Sequence, residues 1–254
     1  MNKHFFELVR ELAINEFKLK YKNSALGYVW SLVKPLALFL VLYLVFSVFL
    51  RIAGGMEYYQ FYLLLGIIIW IFFADTTMIC MHSIVAKGHL IKKVKIPKIA
   101  IILSASCVTF ITFIIDLAVF FILGLIFHLP FQINLIYLPL YILELYLLAL
   151  GIAFILSTAY VWFRDLDHIW QIILQIGFYI TPIIYPMSVL PAKYHFYVLI
   201  NPLAQIMQSM RSSAIQSDIV QAPMIWLNLL IVLWIFTIGI LIFNKKSKYF
   251  AEYI

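Results

Sequence analysis

The sequence predicts an all-α, polytopic membrane protein: about six crossing helices, an N-terminal amphipathic interfacial helix, and short re-entrant outer helices before the last crossing. Two observations carry this. Of 254 residues, 65% are hydrophobic and 11% charged, whereas a soluble domain is roughly a quarter charged and about half apolar. The apolar residues also gather into six runs, at residues 31–50, 61–81, 99–127, 135–161, 169–185 and 224–243. Each has the length that crosses a hydrocarbon core of about 30 Å at about 1.5 Å per residue. The runs at 99–127 and 135–161 are long enough that they must tilt or project beyond the lipid.

Basic residues set the orientation. With both termini cytoplasmic, only Arg51, Lys193 and Arg211 of the 18 Lys and Arg residues fall outside, a decisive positive-inside bias. The net charge of +7 sits in short segments between apolar runs, so it reports orientation against anionic lipid rather than nucleic-acid binding. The start of the chain is expected not to be a signal peptide. Its first apolar run begins only near Ser31, is too long for an h-region and lacks a small-residue cleavage site.

Three segments are neither crossings nor simple loops. In residues 3–22, Phe5, Phe6, Leu8, Val9, Leu12, Ala13 and Phe17 fall on one helical side. Lys3, Glu7, Arg10, Glu11, Lys18 and Lys22 fall on the other, while Glu16 and Lys20 break the pattern. This is an interfacial amphipathic helix, either a passive anchor or a working part. Residues 83–98 form a basic stretch with Leu90 and Ile91 together and Pro97 re-aiming the chain. The stretch either enforces topology or docks a cytoplasmic partner. Residues 186–223 are broken by Pro186, Pro191 and Pro202 yet remain partly apolar. Short helices dipping into the outer leaflet fit that mixture, and irregular backbone at that depth needs protein or a water-filled cavity around it.

Motifs for chemistry are absent. There is no Gly-rich phosphate loop, no Gly-x-Ser-x-Gly elbow and no His-Glu-x-x-His pair, and the six histidines are scattered. Cys80 and Cys107 lack metal-ligand spacing and read as small buried hydrophobes. Asp75, Asp116 and Glu144 are ionisable residues inside apolar runs, each costing about 2.5–3.5 kcal/mol at a span centre on insertion scales. They serve either as cation or proton sites or as hydrogen-bonded helix contacts. An intramembrane enzyme acting on lipid would need them to converge, and no spacing in the sequence suggests that they do. Aromatics at 17% suit headgroup-depth belts and, more weakly, the faces of sugar rings.

Five motifs then carry a resemblance. They are the run from Phe17-Lys18-Leu19-Lys20-Tyr21-Lys22 through Gly27 to Trp30 and Pro35, then His89-Leu90-Ile91-Lys92-Lys93 with Ile96-Pro97, then Phe163-Arg164-Asp165-Leu166. Thr181-Pro182-Ile183-Ile184-Tyr185 and Asn201-Pro202-Leu203 complete the set. In this order the chain resembles the permeases of type-two ABC exporters for bacterial cell-surface polysaccharide: O-antigen, capsule or teichoic acid. The resemblance implies a single permease domain over 1–254, with an interfacial helix in 1–30, five crossings in 31–185, a re-entrant segment in 186–223, the sixth crossing in 224–243 and a cytoplasmic tail in 244–254. It implies a multi-pass protein of the bacterial plasma membrane, no enzyme activity or cofactor of its own, and ATP and Mg bound by a separate subunit. The partners it implies are a second copy, two ABC ATPase subunits, membrane lipid and the lipid-linked glycan.

By the same resemblance, Leu90, Ile91, Lys92, Lys93 and Pro97 belong to a coupling helix seated on the ATPase. Phe17, Lys18, Lys20, Tyr21, Lys22 and Trp30 belong to an entrance helix. Arg164 and Asp165 lie at the cytoplasmic mouth, and Thr181, Pro182, Tyr185, Asn201 and Pro202 form an outer gate. A drug, lipid or other small amphiphile is the alternative cargo.

Overall fold

A computed structural model describes residues 3–21, 27–51, 56–94, 96–131, 133–215 and 222–253. The described residues are helices, turns and bends, with no strand among them. Helix α1 covers Lys3–Tyr21 and α2 covers Gly27–Tyr43, continuing as a π-helical turn over Leu44–Phe49. Helix α3 (Tyr59–Ala86) leads through Lys87 into the short α4 (Gly88–Lys93), and Pro97 caps α5 (Lys98–Ile126). Helix α6 is Leu138–Trp162 and α7 is Leu166–Ile180. The short α8 (Ala192–Leu199) and α9 (Pro202–Ala214) precede α10 (Ala222–Lys246) and the terminal turn α11 (Phe250–Tyr253).

Burial sorts these helices. The apolar stretch of α3 is 72% buried, against 6% for Leu32–Phe49. Helix α3 is apolar on every side and so sits at the centre, as all-round apolar helices do. Helices α5 and α6 pack against α3, and α10 packs against α6. The α6–α10 contact is close enough that a Cβ on Gly239 would collide with the Gly151 backbone. Helix α2 and most of α7 lie outside this centre; Leu174 is the one buried residue of α7. The outward faces stay apolar, with Ile114, Ile122 and Leu125 on α5 and Trp226, Leu230 and Trp234 on α10 all exposed. A surface of that kind is stable facing lipid.

Helix ends follow local chemistry. His128 takes a left-handed conformation (φ 55°) after α5. Leu129 N–H then reaches Gly124 O at 2.8 Å and His128 N–H reaches Leu125 O at 3.3 Å, the paired bonds of a Schellman stop. Helix α7 ends where Pro182 forces Thr181 out of helical geometry (ψ 136°).

Among the described residues, five helices are long and apolar enough to cross a membrane: Leu32–Phe49, Tyr59–Ala86, Lys98–Ile126, Ile133–Trp162 and Trp226–Tyr253. The apolar run at 169–185 differs from these. Its helix has 15 residues, about 22 Å long, and the Thr181–Pro182 break completes the path as a turn. Together they run antiparallel to the whole of α3. Asp167 meets His82, Trp170 meets Thr77, Phe178 meets Trp70, and Ile184 meets Tyr59. The segment therefore matches the length of α3, partly as irregular backbone, though its helix is too short to count among the five. Because Glu16 of α1 bonds Lys87 and α11 touches α4, the C-terminal part of α1 and the terminal turn α11 lie at the α4 end of the bundle.

Candidate functional site

The break after α7 is a heavily bonded irregular segment. Residues Pro182–Tyr185 have no helical partners for their carbonyls, yet all four are met. The Arg211 guanidinium donates to Pro182 O at 2.6 Å, Ile183 O at 2.9 Å and Tyr62 O at 3.1 Å. Tyr59 Oη donates to Ile184 O at 2.7 Å, and Tyr62 Oη lies 3.3 Å from Tyr185 O. Arg211 is fully buried and stacks 3.5 Å from the centre of the Tyr62 ring. Gly66 makes room for it, since a Cβ there would collide with the guanidinium. Unsatisfied carbonyls in an apolar interior each cost several kcal/mol, so this cage is what permits a broken helix at depth.

The residues expected at an outer gate gather around that cage. Thr181 is buried, and its Oγ1 accepts from Asn201 Nδ2 at 3.2 Å. Asn201 Oδ1 in turn caps α9 by accepting from Leu203 N–H at 3.0 Å, with Pro202 in the first turn. Tyr185 Oη donates to Ile180 O at 2.8 Å, closing over the end of α7. All of these lie at the end of the bundle opposite α4. Helix α9 itself is buried along nearly its whole length.

A crevice of about 350 Å³ opens between α2, α3 and α7, lined by Lys34, Trp70, Asp75, Gln175, Phe178 and Tyr179. Lys34 Nζ donates to Asp75 Oδ1 at 3.1 Å, with the two side chains 63% and 37% exposed. Lys34, counted from the sequence as a cytoplasmic charge, instead sits within α2 and partners an intramembrane acid. An open ion pair at this depth is costly against hydrocarbon, so this face suits water or another protein surface.

The other two intramembrane acids are buried and stand apart from this crevice. Glu144 Oε1 accepts from Asn228 Nδ2 of α10 at 2.7 Å, a helix-to-helix contact. Asp116 lies on the α5 face that meets Pro35, Leu64 and Ile68. The three carboxylates do not converge, and no group of three metal-ligating side chains forms among the described residues.

At the α4 end, Leu90 is half-buried and Lys92 and Lys93 are exposed. Ile91 is likewise half-buried and packs against the core cluster that includes Ile84 and Ile101. Pro97 is exposed. Arg164 lies 5.1 Å over the Tyr160 ring, and that ring meets His82 edge-on. Asp165 is exposed, and it is Asp167 that bonds His82, at 3.0 Å.

On α1, Phe17 is half-buried and Lys18 exposed, while Phe6 is 58% exposed. Glu16, the acid that broke the amphipathic pattern, turns inward and pairs with Lys87. Burial pulls the pKa of the Lys87 ammonium down to about 8. Lys22 lies outside the described residues, as do the side chains of Lys20, Tyr21 and Trp30.

Sequence reasoning missed Arg211, Lys34, Lys87 and Tyr62 as site residues. The legible signal was a cation within or beside an apolar segment, and for Glu16 its misplacement on an apolar face.

The chain can be set beside known proteins on this geometry. The sequence profile of the ABC-2 type transporter family matches residues 7–215. The O-antigen export system permease protein RfbA of Klebsiella pneumoniae is 27% identical over 252 residues, which is 98% of this chain and 95% of that protein. A protein of the same name from Myxococcus xanthus is 26% identical over 248 residues, 96% of this chain and 94% of its own length. The polysialic acid transport protein KpsM of Escherichia coli is 24% identical over 246 residues, 94% of this chain and 93% of that protein.

Proposed function

Since the chain belongs to the ABC-2 type transporter family, we propose that it is the permease subunit of an ATP-driven exporter of lipid-linked polysaccharide. The observation that carries this reading is similarity from end to end. Relatives named for O-antigen export and polysialic acid transport align over 94–98% of the chain, which supports reading residues 1–254 as one permease domain. O-antigen, capsule and teichoic acid are the cargo classes in view.

In this reading two copies assemble with two ATPase subunits, which bind ATP and Mg; this chain supplies the path. The α4 end faces the cytoplasm, supported by Lys92, Lys93, Arg164, Lys246 and Lys248 gathered there. Helix α4, with Leu90, Ile91, Lys92 and Lys93, docks on the ATPase together with Pro97 at the start of α5. Helix α1, with Phe17 and Lys18, borders the entrance, and Arg164 and Asp165 the mouth. The open Lys34–Asp75 crevice faces the path, and the caged break at Thr181–Tyr185 with Asn201 and Pro202 forms the gate beyond it.

The test is docking. Leu90→Asp is expected to leave membrane insertion intact and to reduce co-purification of the ATPase subunit at least tenfold, read by pull-down from solubilised membranes. Undiminished co-purification would remove α4 from the docking role.

A further inference from the structure

We propose that the Glu16–Lys87 ion pair is a mechanical link that carries movement of α4 to α1. The inference rests on reading α4 as the helix that docks the ATPase.

Lys87 is a junction residue. Its N–H closes α3 by donating to Ser83 O at 3.2 Å, and its carbonyl opens α4 by accepting from Leu90 N–H at 2.9 Å and Ile91 N–H at 3.1 Å. A displacement of α4 relative to α3 therefore pivots on this residue. The Lys87 side chain leaves the pivot and binds Glu16 on α1. Ser104 of α5 lies beside the pair, its Oγ 3.2 Å from Glu16 Oε1 and 3.4 Å from Lys87 Nζ. One residue thus holds the end of a central crossing, the start of the docking helix and the interfacial helix.

The pair is built for such a role rather than for surface solubility. Both side chains are only 20% exposed, and a partly desolvated pair is held more firmly than an open one. The other acids of α1, Glu7 and Glu11, are exposed, whereas Glu16 occupies the inward side at the cost of the amphipathic pattern. The rest of the inward side of α1 is apolar and can slide along α5. The ion pair is directional and resists sliding at one point. Helix α4 also meets α11, and Lys87 at its start ties it to α1 through Glu16. Glu16 and Lys87 are positioning residues and need not touch the cargo.

The experiment uses the assembled complex of this chain with its ATPase subunit in lipid nanodiscs. An environment-sensitive fluorophore on Arg10→Cys reports α1, and one on Val94→Cys reports the end of α4. With the native pair, ATP changes both signals. In Glu16→Gln and Lys87→Gln complexes the α4 signal is expected to persist while the α1 response falls at least fivefold. The charge-exchanged double variant, Glu16→Lys with Lys87→Glu, is expected to recover at least half of that response. A full α1 response in the single variants, or no recovery on exchange while α4 still responds, would overturn the link. An α4 label silent to ATP in the native complex would overturn the docking reading, and the link with it.

Discussion

Replacing Arg211 by alanine is expected to lower the thermal unfolding midpoint of the detergent-solubilised protein by about 10 °C. The guanidinium is fully buried and donates to three backbone carbonyls, Tyr62 O, Pro182 O and Ile183 O. Hydrogen bonds from a charged donor contribute about 1.5–3 kcal/mol each, and each carbonyl left buried and unmet costs about 1–3 kcal/mol. Removing the buried charge offsets part of this, because its own desolvation cost disappears. A net loss of about 3–5 kcal/mol, typical of breaking a buried charged network, is the expected balance. Arg211→Lys is expected to recover only part of the loss, since a point charge cannot span three carbonyls as a planar fork does. The turn at Thr181–Tyr185 should also become the first site of protease cleavage in the alanine variant. A midpoint equal to that of the native protein would mean that the cage does not hold the broken helix.

The second large effect concerns the crevice. Asp75→Lys is expected to reduce surface polysaccharide at least tenfold in cells that depend on this chain, with the protein still inserted at normal abundance. Lys34 Nζ lies 3.1 Å from Asp75 Oδ1, so the substitution sets two cations against each other. Because the pair is open to solvent, the lost attraction and the added repulsion are each about 1 kcal/mol at most, and the crowding of two long side chains adds to them. The lysines would splay apart and spoil the packing of α2 on α3, where Leu38, Trp70 and Ile71 line the same opening. Asp75→Asn removes the attraction without adding repulsion and should cost less. The measurement is surface glycan by lectin binding, beside immunoblots of the membrane fraction. Native levels of surface glycan in Asp75→Lys would place the transport path elsewhere.

Much of this architecture is legible in the sequence because membrane crossings are written in length and composition. The run at 99–127 corresponds to Lys98–Ile126 and the run at 61–81 lies within Tyr59–Ala86. The prolines at 186, 191 and 202 foretell the short helices Ala192–Leu199 and Pro202–Ala214. Side-chain direction is what the sequence hides. Counting Lys and Arg by position treats Arg211 as a surface charge, and only the carbonyls freed by Pro182 and the ring of Tyr62 explain its burial. Lys34 reads as a flanking charge until α2 is laid against Asp75, 41 residues away. Glu16 is the instructive case. Its misfit on an apolar face was visible, and its partner Lys87, 71 residues on, was not.

Transport itself is the most direct test. Sealed proteoliposomes would hold this chain and its ATPase partner, with lipid-linked polysaccharide confined to the ATP-facing leaflet. Adding ATP should expose the glycan to a membrane-impermeant glycosidase on the opposite side, and a hydrolysis-dead ATPase should not. Glycan that stays equally protected with and without ATP would contradict the assignment of this chain as the exporter's path.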